Sequence, residues 1–256
     1  MTKQNKFSED YTTEVQNFSQ KQIDNHPHNQ SENTVAKILS RGMVCSDLTF
    51  SNPEKKNLDI LFLGLNPSYI GDDYKKFDEY DPTSRETYPR YFGAFHRLVE
   101  KLEGTVNWTQ MDILNVRETK SQKVLNLINY SVGLKALVEN LKITFNQIEK
   151  LKPRLVIVCN TKAAKFTGIE AFPTETPNGD IWMGYKFEFD DNLGVHRITG
   201  LHADSIAHVR DESDKILERV ETKLMDTPLF FTSTLTYMSK YVQESLAWQI
   251  GRVLKK

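Results

Sequence analysis

The chain has too few cysteines to build anything from them. Only Cys45 and Cys159 occur in 256 residues, which excludes a disulfide framework, a four-cysteine zinc site and a four-cysteine iron–sulfur cluster. It also has no excess charge: 33 Lys and Arg face 34 Asp and Glu, so no global positive field advertises nucleic acid or an anionic membrane, although a local basic groove is compatible with a neutral total. No apolar run approaches the ~20 residues that span a bilayer, and the first thirty residues lack the apolar core of a signal peptide. A reduced, cytoplasmic protein with no membrane partner is the expectation. Phosphate cradles are missing too, since no strand is followed by Gly-x-Gly-x-x-Gly and no Gly-x-x-x-x-Gly-Lys-Ser/Thr occurs. No Gly-x-Ser-x-Gly elbow is present; Ser205 between His202 and His208 is a local grouping, whereas hydrolase triads assemble from separate elements.

What the chain does have is an uninterrupted apolar run that ends abruptly. Ile60-Leu61-Phe62-Leu63, preceded by Asp59, passes into Gly64-Leu65-Asn66-Pro67-Ser68, the pattern of a fully buried strand stopped by a polar turn. Gly64 permits close backbone approach, and Pro67 biases Asn66 towards extended conformations, so Asn66 projects an amide from a stiff loop. Asn-Pro is also a common turn dipeptide. In open α/β sheets, however, ligands bind at the carboxyl ends of strands.

Length and composition accommodate one α/β domain with extensions. Residues 1–33 are polar and read as an arm, helical or disordered; residues 34–256 read as the domain, with an insertion at about 168–225. Val35, Ile38 and Leu39 predict a short helix, and 45–50 a strand or extended lead-in. The loop 69–89 is rich in tyrosine and long enough to suggest function. A helix is expected over 90–102, a strand over 108–116, a helix over 123–151 broken near Gly133, a strand over 155–159 and a short helix over 162–166. The segment 168–200 predicts a β-hairpin or an irregular strand pair appended to the core, 201–224 a mostly helical charged stretch, 228–232 a fourth strand and 241–254 a final helix. No internal repeat is present.

Four strands then end in polar turns at Asn66, Asp112, Asn160 and Ser233, and parallel strands would bring those ends to one crevice. Arg85, Arg90, Arg97 and Arg117, interleaved with Tyr88, Tyr91 and Phe92, read either as a phosphate-binding and stacking rim or as the edge of an amphipathic helix. His196, His202, His208 and Asp204 invite a metal-dependent hydrolase reading. Six-residue spacings leave helical neighbours about 120° apart, and a solvated charged segment fits them better.

The turn Gly64-Leu65-Asn66-Pro67-Ser68 resembles the first motif of the uracil-DNA glycosylase superfamily, in the Gly-Ile-Asn-Pro-Gly form of its mismatch-specific uracil/thymine branch. Thr109–Arg117, Leu155–Lys165 and the stretch Phe230-Phe231-Thr232-Ser233-Thr234-Leu235-Thr236 are similar, in the same order, to that family's base-reading strand, third strand with its helix, and second motif. The resemblance implies a three-layer α/β/α sandwich over a short, mainly parallel four-stranded sheet. It implies excision of a damaged or mispaired base from DNA without metal or organic cofactor. Asn66 would position the attacking water. Pro67, Ser68, Phe92, Asp112 and Asn160 would bind the extruded base, and Arg90, Arg117, Ser233, Thr234, Leu235 and Thr236 would contact DNA. Two departures stand out. Phe231 occupies the position of the second-motif His or Asn, and Asp112 that of a base-reading Asn. An ionised Asp only accepts hydrogen bonds, which suits a donor-rich base edge. A fold that binds a nucleobase or nucleic acid without catalysis is the alternative.

Overall fold

The computed structural model describes residues 34–43, 48–69, 81–86, 88–169, 181–202, 208–209, 212–215 and 221–255, with a few scattered positions between 13 and 24. Most of the N-terminal arm, Cys45, most of the tyrosine-rich loop and residues 170–180 lie outside them.

The architecture is α/β, built on a mixed six-stranded sheet. Its first strand, β1 (Ile60–Gly64), is buried at every position, as a run without polar residues requires. It pairs in parallel with β2 (Trp108–Asp112) on one side and β3 (Leu155–Val158) on the other. Register runs Ile60 to Trp108 and Leu155, so that Gly64 and Asp112 end level with each other.

The expected four-stranded sheet is extended by two strands. The stretch expected to form an appended strand pair supplies β4 (Tyr185–Asp190) and β5 (Val195–Leu201), an antiparallel hairpin closed by the Asp190–Gly194 turn. There Asp190 Oδ1 accepts from the backbone N–H groups of Asn192 and Leu193. Next along the chain, β6 (His208–Val209) and β7 (Glu212–Lys215) form a separate two-stranded sheet. Among the described residues of 201–224 none is helical, which corrects the mostly helical stretch expected there: charge content carries no helical period of its own. The last strand, β8 (Pro228–Phe231), is parallel to β3 and antiparallel to β5, giving the order β2-β1-β3-β8-β5-β4.

Helices cover both faces. Because alternate side chains of a strand point to opposite faces, Leu61, Leu63, Met111, Val156, Val158 and Leu229 share one core with helices α1 (Thr34–Leu39) and α4 (Ser131–Leu151). Ile60, Phe62, Trp108, Leu155, Ile157 and Phe230 share the other with α2 (Pro89–Val99) and α6 (Lys240–Leu254). Phe62 anchors this second core, its ring edge-on to Phe95 at 5.0 Å and to Trp108 at 5.5 Å.

Two short helices complete the carboxyl edge of the sheet: α3 (Ser121–Leu125), which runs into a 3₁₀ turn over Asn126–Asn129, and α5 (Thr161–Lys165). The helical break falls at Tyr130, before Gly133 rather than at it. Gly133 lies inside α4 because a β-carbon there would collide with the Leu127 carbonyl of the preceding 3₁₀ turn. No described helix is long and apolar enough to cross a membrane.

Candidate functional site: a cleft at the carboxyl ends of the parallel strands

The ends of β1, β2 and β3 open into a cleft of about 720 Å³, which also receives the N-terminal ends of α2, α3 and α5 and the turn after β8. Asn66, Pro67, Ser68, Arg90, Asp112, Asn160, Thr234 and Thr236 all line it, although they come from segments far apart in the chain. Parallel pairing with level register is what brings the ends of β1 and β2 together.

Asn66 is held with its amide in one orientation. Nδ2 donates to the carbonyls of Pro67 at 3.0 Å, Val116 at 3.0 Å and Glu118 at 2.7 Å. Three carbonyl acceptors around one atom require that atom to be the NH₂ group, which resolves the amide assignment. The same atoms therefore tie the turn after β1 to the loop after β2. Backbone bonds from Glu118 N to Pro67 O, Ile113 N to Gly64 O and Leu114 N to Leu65 O extend the seam, and Thr119 Oγ1 donates to Tyr69 O at 2.7 Å. Oδ1 of Asn66 makes no hydrogen bond among the described residues, so this rigid wall presents one oriented acceptor.

Asp112 lies on the floor. Its carboxyl folds over Gly64, where a β-carbon would overlap Oδ1, and it accepts one hydrogen bond, from Gln110 Nε2 at 3.2 Å. Burial raises its pKa from the ordinary carboxylate range to about 7, and the Gln110 amide offsets only part of that. Near neutrality the acid form, which can donate, is therefore populated beside the acceptor-only carboxylate. Tyr91 and Cys159 flank the carboxyl. Both are pushed well above their usual values by burial first and by the nearby Asp112 charge, which keeps both neutral.

Asn160 caps α5. Its Oδ1 accepts from the N–H groups of Lys162 at 2.8 Å and Ala163 at 3.3 Å, an arrangement that turns the other end of the amide outward from the helix. Glu118 contributes the ionised group of the wall. Burial would raise its pKa, but the Lys120 N–H and the Arg41 guanidinium, at 2.9 and 2.8 Å, hold it below the ordinary carboxylate range. At the mouth, Tyr88 takes a left-handed conformation with φ 42° and ψ 60° just before Pro89, where the right-handed helical region is disfavoured. Tyr237, 82% exposed, also lines the cleft.

Four residues assigned to the site from sequence lie elsewhere. Phe92 is fully buried in the second core against Tyr91 and Phe95. Leu235 is buried in the same core. Arg117, 2% exposed, exchanges hydrogen bonds with Arg41 across their backbone carbonyls, and both guanidinium groups face the Tyr69 ring at 5.4 and 4.1 Å. Its charge braces the wall from behind and is withdrawn from any ligand. Ser233 is exposed but lines a neighbouring groove with Phe231 and His196. Phe231, at the position of the second-motif His, packs edge-on against Phe187 and His196 at 5.5 and 5.2 Å, away from the cleft.

The histidines expected as metal ligands separate. His196 contacts Phe189 and Phe231, while His202 faces Trp182; Asp204 and the side chain of His208 lie outside the described residues. Among the described residues no three His, Cys, Asp or Glu side chains group as a metal site.

Sequence reasoning did not assign Glu118, Cys159 or Tyr237 to the cleft, whereas Tyr88, Arg90 and Tyr91 of the candidate stacking rim do line it. Cys159 carried the clearest signal, as the residue after a buried strand and before Asn160. No family model matches the chain, and no curated protein matches it significantly.

Proposed function

We propose that the cleft binds a nucleobase extruded from DNA and hydrolyses its N-glycosidic bond, in the manner of a uracil-DNA glycosylase. One observation carries this reading. Asn66, Asp112 and Asn160, from the ends of three adjacent parallel strands, converge on a single cleft, with the Asn66 amide locked so that only its oxygen is available. A water accepted there would be oriented from a rigid wall, and Asp112 and Asn160 would address the polar edge of a flat ring. Helices on both faces of the sheet support reading the architecture as the family's three-layer α/β/α sandwich, with the β4–β5 hairpin as an addition to it. Exposed Arg90 and Tyr237 at the mouth suit a phosphate and a stacked ring, respectively.

In this reading the glycosidic bond loosens towards an oxocarbenium-like state, and the water held by Asn66 attacks C1′. Single-turnover base release from oligonucleotides carrying uracil, mispaired thymine, hypoxanthine or xanthine tests it. Release that survives unchanged in Asn66→Ala, or absence of release from all four, rules it out.

The position of Phe231 favours a second reading, in which the cleft binds a base without cleaving it. No imidazole at 231 is available to steady a departing base, since that side chain is committed to the aromatic cluster with Phe187 and His196. Binding of base-containing oligonucleotides with no release under single-turnover conditions distinguishes this case.

A further inference from the structure

Asp112 is a carboxyl group without a counter-ion at a place a ligand can reach. Among the described residues it has no salt bridge, and its one hydrogen-bond donor is the Gln110 amide at 3.2 Å. Gln110 itself is buried on the same sheet face, and its Oε1 has no hydrogen-bond partner among the described residues. Around the carboxyl stand the Gly64 backbone from β1, Tyr91 from α2 and Cys159 from the end of β3. None of these brings a positive charge. The charged side chains lining the same cleft are Arg90 and Glu118, and Glu118 is already held by Arg41 and the Lys120 N–H. An ionised carboxylate in such a place is poorly hydrated and has no cation beside it, whereas the un-ionised acid needs neither.

Building on the nucleobase reading of the cleft, we propose that Asp112 stands there as the un-ionised acid and donates its hydroxyl hydrogen to a carbonyl oxygen of the bound ring. Asp112 is then a specificity-determining residue that selects carbonyl-edged over amino-edged bases. The step is a hydrogen bond and not a proton transfer. As negative charge grows on the departing base, that hydrogen bond strengthens, which supplies part of what the absent imidazole at 231 does not.

The proposal reverses the preference expected from an acceptor-only carboxylate and makes selectivity depend on pH. A carbonyl acceptor stabilises the acid form of Asp112, and an amino donor stabilises the carboxylate. Docking a flat ring over the carboxyl removes its remaining water and favours the acid further. Of the groups around it, Tyr91 and Cys159 stay neutral and Glu118 stays ionised through the neutral range. His196 and His202 do not line the cleft. Asp112 is therefore the group on the cleft floor that changes charge near neutral pH.

Binding of the free bases uracil and cytosine, followed by calorimetry from about pH 5.5 to about pH 8.5, tests this without requiring turnover. Wild-type protein should bind uracil more tightly than cytosine at the acid end and lose uracil affinity about tenfold per pH unit once Asp112 ionises. Asp112→Asn is close to isosteric and cannot ionise, so its affinities should be flat across the range, with folding checked by circular dichroism. A flat uracil profile in wild type, an equal fall in the variant, tighter cytosine binding at acid pH, or no binding of either base overturns the proposal. The wild-type profile stands alone if the variant fails to fold. Failure of the catalytic reading looks different: uracil binding would follow pH as described while no oligonucleotide released its base. Base release with pH-independent uracil binding would remove the role of Asp112 and leave the catalytic reading intact.

Discussion

Gly64 and Asp112 end paired strands side by side, and the carboxyl of one occupies the space in which a side chain of the other would have to sit. A β-carbon at 64 would overlap Asp112 Oδ1 and approach Gln110 Nε2 to 3.2 Å. β1 lies inside the sheet, hydrogen-bonded to β2 on one side and β3 on the other, so the backbone at Gly64 cannot retreat. Gly64→Ala should therefore destabilise the fold by about 1–3 kcal/mol through overpacking and push the carboxyl into the cleft. Chemical denaturation measures the first effect, and loss of base binding out of proportion to the stability change measures the second. A variant with wild-type stability and binding would show that the two groups do not compete for space.

Asp112 itself should limit stability at alkaline pH. Its folded-state pKa of about 7 lies above the unfolded value of 3.8, so the folded protein binds the extra proton between them. Stability from this group is then complete at acid pH, declines as pH rises from about 4 to about 7, and stays lost above. A shift of about three pKa units corresponds to about 4 kcal/mol at most, and partial exposure to the cleft reduces the expectation to about 1–3 kcal/mol. Asp112→Asn should raise the melting temperature at about pH 8 by several degrees and change it little at about pH 5. Equal shifts at both pH values would contradict the assignment.

The core of the site was legible because β1 and β3 are short apolar runs that end in polar turns; β2, interrupted by Thr109 and Gln110 and expected to run to 116, ends instead at Asp112. Asn66, Asp112 and Asn160 follow from strand ends alone once the strands are parallel. Other residues were misplaced for identifiable reasons. Phe92 shares a helical stripe with Phe95 and Leu98, a spacing that puts it in the core as readily as in a pocket. Arg117 was expected to contact DNA because arginines usually reach solvent, but its guanidinium donates to the Arg41 carbonyl and faces the Tyr69 ring instead. Glu118 and Tyr237 reach the cleft through loops whose course depends on contacts far away in sequence. Antiparallel addition of β5 to β8 is likewise a non-local pairing that no local period encodes.

Asn66 should matter to the fold as well as to the chemistry. Replacing it with Ala deletes three donations that hold the turn after β1 to the loop after β2, at a cost of about 1–3 kcal/mol, with the freed carbonyls partly rehydrated from the cleft. Asn66→Asp separates the roles, since it keeps the outward oxygen but puts a second acceptor against the same three carbonyls. It should be at least as destabilising as Ala in thermal melts at neutral pH. An aspartate variant as stable as wild type would mean that the amide does not staple the loops.

At the other end of the sheet, Asp59 should govern acid stability. It is buried just before β1 and accepts from Lys55 Nζ at 2.5 Å, Arg154 Nη1 at 3.2 Å and the Asn107 N–H at 2.8 Å, joining the entries of β1, β2 and β3. Burial pushes its pKa up, but Lys55, the Asn107 N–H and Arg154 together hold it below the ordinary value. The stabilisation is therefore fully present above about pH 4 and is lost as pH falls through the lowered folded-state value. Asp59→Ala should cost about 2–3 kcal/mol at neutral pH, less than a fully buried pair would, because both cations are partly exposed and can rehydrate. Urea unfolding at about pH 7 and about pH 3 provides the measurement: the gap between wild type and variant should narrow on acidification. If it stays constant, the stability contributed by Asp59 does not depend on its charge, and the three strand entries are held together by packing alone.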